Sequence, residues 1–359
     1  MVKMVQPGNL TSKMLRKLYL LIIASVLVGC GGSSNGDGNA KAAGAAANGV
    51  GQSESPTSVE PAVIVPIFDA DSAYSFVERQ VAFGPRVPGT ATHRKCGDYL
   101  VAKFRSYGAD VITQDVELEA YNGDKFKARN IIARFQPEKE ERVMLCAHWD
   151  TRPWADSDPD KANHYKPLPG ANDGGSGVGV LLEIARQLSS VPTKVGVDII
   201  LFDAEDYGLH ENDADKYASN GNSWALGSQY WSRRPHILGY KPQYGILLDI
   251  VGAPGSVFKH EYFSKQYASN VIRKVWRWAA SAGYSDYFVN ADGGAITDDH
   301  YYVNKFAGIP CINIINHDPG SPNGFGPYHH TMKDDMDWID TATLKAVGQT
   351  VLTVIYNEK

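Results

Sequence analysis

Asp173 stands in a glycine-rich turn, Gly170-Ala-Asn-Asp-Gly-Gly-Ser-Gly177, immediately before the helical run Val178 to Leu188. That setting suits a metal ligand: glycines let the backbone approach closely, and a helix N-terminus receives a short, stiff acidic side chain. Aspartate ahead of a helix is more often an N-cap than a ligand, so the neighbouring signals decide. His148-Trp-Asp150 closes one apolar strand-like run, Glu205-Asp206 a second and Asp249 a third, and His329-His330 lies near the C-terminus. Acid and imidazole groups clustered at strand ends and turns read as a metal site.

Other catalytic signatures fit less well. Gly174-Gly-Ser-Gly177 approaches a serine-hydrolase elbow, but Val178 occupies the place of the final glycine. The dinucleotide fingerprint and the phosphate-binding loop G-x-x-x-x-G-K-[ST] are both missing from the sequence. Cysteine and histidine are too scattered for a structural zinc site.

The elements that must position these residues alternate. Helices are expected over 71–83 and 90–107, the second stopped by Gly108, followed by paired strands 111–121 and 126–135. Strands 142–147, 195–203, 244–250 and 309–315 then alternate with helices 173–190, 223–234, 264–282, 298–306 and 340–356. The pattern predicts a single α/β domain: an open, mostly parallel, mixed central sheet flanked by helices. In such sheets ligands bind beyond the carboxyl ends of the strands, where the acidic clusters fall. Long segments 148–172, 204–222 and 316–328 are expected to wall one pocket, with Trp149, Trp154, Tyr207, Phe325 and Tyr328 as aromatic material.

At 359 residues, with 43% hydrophobic and 11% aromatic side chains, the chain can bury a large core. A net charge of −5 without a basic run gives no footing for nucleic acid.

The N-terminus reads as a targeting segment. Lys13, Arg16 and Lys17 precede the apolar stretch Leu18–Val28, about eleven residues and too short to span a bilayer. Leu27-Val-Gly-Cys30 resembles the bacterial lipobox, and Gly31-Gly32 follows it rather than an aspartate. The expectation is a lipoprotein signal peptide over 1–29, lipidation at Cys30 and a flexible Gly/Ala/Ser-rich tether over 30–60. A catalytic domain over 61–359 completes the chain. Localisation is then the outer membrane or periplasm of a Gram-negative cell, with membrane contact only through the lipid anchor. Cys146 and Cys311 read as buried small hydrophobes in strands, able to pair only if those strands are neighbours.

From Phe83-Gly-Pro-Arg-Val-Pro-Gly89 and Arg129-Asn-Ile-Ile-Ala133 to His330-Thr-Met-Lys-Asp-Asp335, the sequence resembles the zinc-dependent exopeptidases of peptidase family M28. Within that family it is most similar to the glutaminyl-peptide cyclotransferases. The resemblance implies one zinc per chain on Asp173, Asp206 and His330, a donor set that leaves a fourth position open. It implies Glu205 as general acid/base, with Asp249 and Asp298 as further essential carboxylates. Ile296, Phe325, His329 and Trp149 are carried over as substrate contacts, and peptides or proteins with N-terminal glutamine as substrates.

One tripeptide favours the cyclase branch: Asp298-Asp299-His300 stands where the peptidases usually have Ser-Asp-His. Departures are His329 where animal cyclases have tryptophan, Asn313 where they have histidine, and Asp206 where they have glutamate. Two rival readings use the same residues. A dizinc aminopeptidase of the family would hold a second ion on His148 and Asp249, with Asp173 bridging. A surface lipoprotein on the same scaffold would bind peptides without catalysis.

Overall fold

The structure, a computed structural model, describes residues 63–359 apart from 218–222 and 322. The expected signal peptide, tether and Cys30 lie outside the described residues.

Six strands make the central sheet: β1 (Asp110–Glu119), β2 (Lys125–Phe135), β3 (Arg142–His148), β4 (Gly196–Phe202), β5 (Gly245–Asp249) and β8 (Cys311–Ile315), in the order β1-β2-β4-β3-β5-β8. β4, β3, β5 and β8 pair in parallel, and β1 and β2 join as an antiparallel hairpin against β4. β3, β4, β5 and β8 are buried along their whole lengths, as near-continuous apolar runs of parallel strands require. β1 alternates between exposed and half-buried positions, as an edge strand does.

The helices are α1 (Ala70–Val81), α2 (Ala91–Ser106), α3 (Gly175–Ser190), α4 (Ala214–Tyr217), α5 (Leu226–Arg233), α6 (Tyr262–Ser281), α7 (Asp299–Tyr302) and α8 (Thr341–Tyr356). Asp69, Thr90 and Asp340 cap α1, α2 and α8 through their side chains, so the chain enters each helix at a sequence-encoded point. Apolar faces of α1, α2, α3, α6 and α8 join the sheet in one large core containing Phe68, Phe104, Leu181, Ile246 and Leu352. A second cluster around Trp231, Phe202 and Val303 closes a further part of the sheet.

The expected α/β order holds, with local corrections. The helix expected over 223–234 begins only at Leu226, after Ala225 in the left-handed conformation. The one expected over 298–306 is a short α7 continued by a π turn over Val303–Ala307. A small parallel pair, β6 (Phe258–His260) with β7 (Phe288–Asp292), was not legible in the pattern. Cys146 and Cys311 are free and buried. β5 separates β3 from β8, yet it carries Gly245 between them, and the Cys146 and Cys311 thiols interact across it while remaining unbonded.

Candidate active site

The four parallel strands end on the same side of the sheet, and three of the ends carry chemistry. His148 is the last residue of β3, Glu205 and Asp206 follow β4, Asp249 ends β5, and Ile315 ends β8. Asp173 arrives from the turn ahead of α3. Gly174 there has φ +79, and a Cβ on it would stand 2.9 Å from the Asp150 carbonyl oxygen and 2.9 Å from His148 Cε1. A Cβ on Gly177 would lie 2.3 Å from the Leu248 carbonyl. The glycines therefore let the Asp173 turn press onto the ends of β3 and β5.

Two buried carboxylates, Asp150 of the His148-Trp-Asp150 cluster and Asp334, hold the acidic residues by their backbones, a role the sequence did not show. Asp334 accepts from the amides of Asn172 (2.8 Å) and Asp173 (3.0 Å). Asp150 accepts from the amides of Glu205 (3.0 Å) and Asp206 (3.2 Å). Ala204 (φ +54), Ile250 (φ +49) and His330 (φ +55) are left-handed residues beside or within the site. Such conformations persist where surrounding contacts over-determine them, and they gather at functional sites.

Asp173 lies between two half-sites. On one side its Oδ2 is 3.6 Å from His330 Nε2, which is 3.2 Å from Asp206 Oδ1. On the other its Oδ1 is 3.0 Å from His148 Nε2, which is 3.2 Å from Asp249 Oδ1. Donor atoms of Asp173, His329 and His330 fall within 4.8 Å of one another, as do those of His148, Asp173 and Asp249. Both oxygens of Asp206 are buried without a hydrogen-bond partner. Arg152 Nη1 approaches Asp206 Oδ1 only to 3.6 Å. A carboxylate buried in that state is costly unless a cation meets it, so these residues fit a metal ion.

Electrostatics follow from burial and crowding. Burial, and then the charge of Asp298, pushes Glu205 well above the usual carboxylate range. Burial and Asp173 do the same to Asp206, and burial raises Asp249 to about 7. Burial lowers His330 to about 3, leaving the neutral imidazole that a metal requires. His148 goes the other way, because carboxylates of Asp150, Asp173 and Asp249 outweigh the effect of burial. Asp298 is raised by burial. It caps α7 through the Asp299 amide and accepts from Asn313 Nδ2 at 2.6 Å.

The cavity above these groups measures about 560 Å³. Asp173, Asp206, His330, Glu205, Asp249 and Asp298 all line it, together with Ile296, Phe325 and His329. Its aromatic wall includes Trp224, which stacks on His330 (6° between planes), and Phe325, 4.5 Å from His329. Trp149 is a correction: it is 1% exposed and does not line the cavity. Its indole stacks on His93 at 4.2 Å and donates to the Arg129 carbonyl, so it packs β3 against α2. Trp154, Tyr207 and Tyr328 likewise fall outside the lining, whereas Trp224 and His317 supply it. Nothing in the local sequence marks those two.

The model of peptidase family M28 matches residues 130–355. The chain belongs to that family. Its fold is similar to that of a Zn-dependent exopeptidase from Parabacteroides distasonis, with 54% identity, a TM-score of 0.80 and coverage of 82% of this chain and 100% of that one. It is equally similar to the glutaminyl cyclase of Tannerella forsythia, with 56% identity, a TM-score of 0.80 and the same coverage. The aminopeptidase YwaD of Bacillus subtilis is 28% identical over 292 residues, 79% of this chain; the match spans only 55% of that relative's length. The glycine turn, the acidic strand ends and His330 all fall within the matched residues.

Proposed function

We propose that the protein is a zinc-dependent glutaminyl-peptide cyclotransferase, converting N-terminal glutamine of peptides or proteins to pyroglutamate with release of ammonia. One observation carries the reading. Asp298, the residue that sets the cyclase pattern apart, faces the same cavity as Glu205, and its charge raises the Glu205 carboxyl. Similarity to the Tannerella forsythia glutaminyl cyclase supports it.

Asp173, Asp206 and His330 would hold the zinc, which when bound polarises the side-chain amide carbonyl as a Lewis acid. Glu205, with its raised proton affinity, takes the proton from the substrate α-amine. The α-nitrogen then bonds to the amide carbon, the carbon–nitrogen bond to the side-chain amide breaks, and Glu205 returns the proton to the departing ammonia. Attack is intramolecular, so holding the side chain folded back removes much of the entropic barrier. Trp224, Phe325 and Ile296 line the cavity in which that folded shape would sit, and the Asp249 and Asp298 carboxyls line it too, available as hydrogen-bond acceptors for the amine.

The His148–Asp173–Asp249 triad favours a second reading, a dizinc aminopeptidase. Incubating residues 61–359 with a glutamine-initiated peptide separates the two by mass. Loss of ammonia from an otherwise intact peptide is expected, and release of a whole residue would install the peptidase. Bound zinc measured on the same sample is expected at one ion per chain.

Leu27-Val-Gly-Cys30 supports export as a lipid-anchored protein of the outer membrane or periplasm. Cys30→Ala is expected to abolish processing and fatty-acid labelling; labelling that persists in the variant would end the idea.

A further inference from the structure

We propose that Glu261 is a positioning residue that fixes the Asp298 carboxylate and the neighbouring pocket wall; the inference rests on the cyclase reading above. Glu261 is 2% exposed and begins α6. Its Oε1 accepts from the amides of Phe263 (2.9 Å) and Ile296 (3.1 Å). Oε2 accepts from the Ser264 amide (2.6 Å), the Ser264 hydroxyl (2.8 Å) and His300 Nε2 (2.8 Å).

Capping the helix accounts for only the amides of Phe263 and Ser264. The bonds to Ile296 and His300 grip the loop on both sides of Asp298. A third route runs through the Ser264 hydroxyl, which accepts from the Asn313 amide at 2.9 Å, while Asn313 Nδ2 donates to Asp298. One carboxylate thus holds the loop before Asp298, the residue two after it and the strand residue bonded to it. Aspartate, asparagine or serine is the usual choice at an N-cap. Glutamate adds a methylene, and that length is what a reach from α6 to Ile296 and His300 demands. Although burial favours its neutral form, the bonds from His300 and the backbone hold Glu261 at about 2, so it stays an acceptor at neutral pH.

Glu261→Asp separates capping from positioning, because aspartate keeps a good N-cap while losing the reach across to the loop. The expected result is a kcat about 10–100-fold lower, as misplacement of about 1 Å behind a reacting group produces. Zinc content should match the parent, and the thermal midpoint should fall modestly because the Ile296 amide and His300 lose a buried partner. In an Asp298→Asn background the same change should cost almost nothing further, since Glu261 acts through Asp298. Ser264→Ala gives a second arm, with a smaller kcat loss that also vanishes in that background. Wild-type kcat in Glu261→Asp, or an equal loss with and without Asp298, would overturn the proposal. If the parent releases an amino acid instead of ammonia, the cyclase reading fails. The variant-to-parent ratio of that reaction then still tests positioning, because Asp298 faces Glu205 in either chemistry.

Discussion

Glu205→Gln is expected to lower turnover by about 10²–10⁴-fold with zinc content and fold intact. The side chain is 9% exposed and faces the cavity, and burial and the charge of Asp298 raise its proton affinity, which suits a group that carries a proton from amine to leaving ammonia. Glutamine preserves its shape and removes only that capacity. Its backbone amide remains on Asp150, so the Asp206 beside it keeps its place. Steady-state release of ammonia with metal content measured on the same samples checks this. A near-normal rate would move proton transfer to Asp298 or Asp249, cavity carboxylates with raised proton affinity that are outside the proposed ligand set.

Loss of a metal ligand should have an effect at least as large. Asp206→Ala or His330→Ala is expected to remove both zinc and activity, because a three-ligand site cannot lose one donor and stay tight. Full zinc in His330→Ala would transfer the ligand role to His329, whose donor atom lies in the same cluster. The metal-free protein should also reveal the cost of crowding carboxylates. Burial raises Asp249 to about 7 and Asp334 to about 8. A carboxyl raised on folding stabilises below its unfolded pKa, and that contribution is lost as pH rises through the folded value. The metal-free thermal midpoint is therefore expected to fall between pH 6.5 and 8. His329 and His330, both depressed, act only below that window. Zinc should restore the midpoint, and by more at pH 8; at a thousand times its Kd the ligand contributes about 4 kcal/mol. A metal-free midpoint independent of pH would contradict the burial of these carboxylates.

Asp298 joins the two ideas. Sequence resemblance marks it as the residue that separates cyclase from peptidase, and the structure shows how it is held. Its oxygens accept from the Asp299 amide and from Asn313 Nδ2, and Glu261 secures the loop on either side. The Asn313 bond ties the carboxylate to β8.

By itself the sequence determined the alternation of strands and helices, the sidedness of the sheet and the residues that meet above it. These are local properties: buried parallel strands are continuous apolar runs, and Asp69, Thr90 and Asp340 each announce a helix start. Asp173, Glu205, Asp206 and Asp249 were legible because strand ends and glycine turns confine acids to one edge, whereas Asp298 was picked out only by the family resemblance. Tertiary structure alone decided what holds them. Asp334 grips the Asp173 turn from about 160 residues away along the chain, and Asp150, two residues past β3, grips Glu205 and Asp206. Neither contact leaves a periodic or compositional trace. Trp149 shows the converse: its place in the long segment 148–172 and the family resemblance suggested the pocket, yet successive side chains of an extended chain point to opposite faces, and its indole went to α2. The short pair β6–β7 also escaped, since three and five residues are too few for alternation to register. Pairing, burial and the choice of second carboxylate depend on which distant segments the sheet order brings together, and that order is a property of the folded chain.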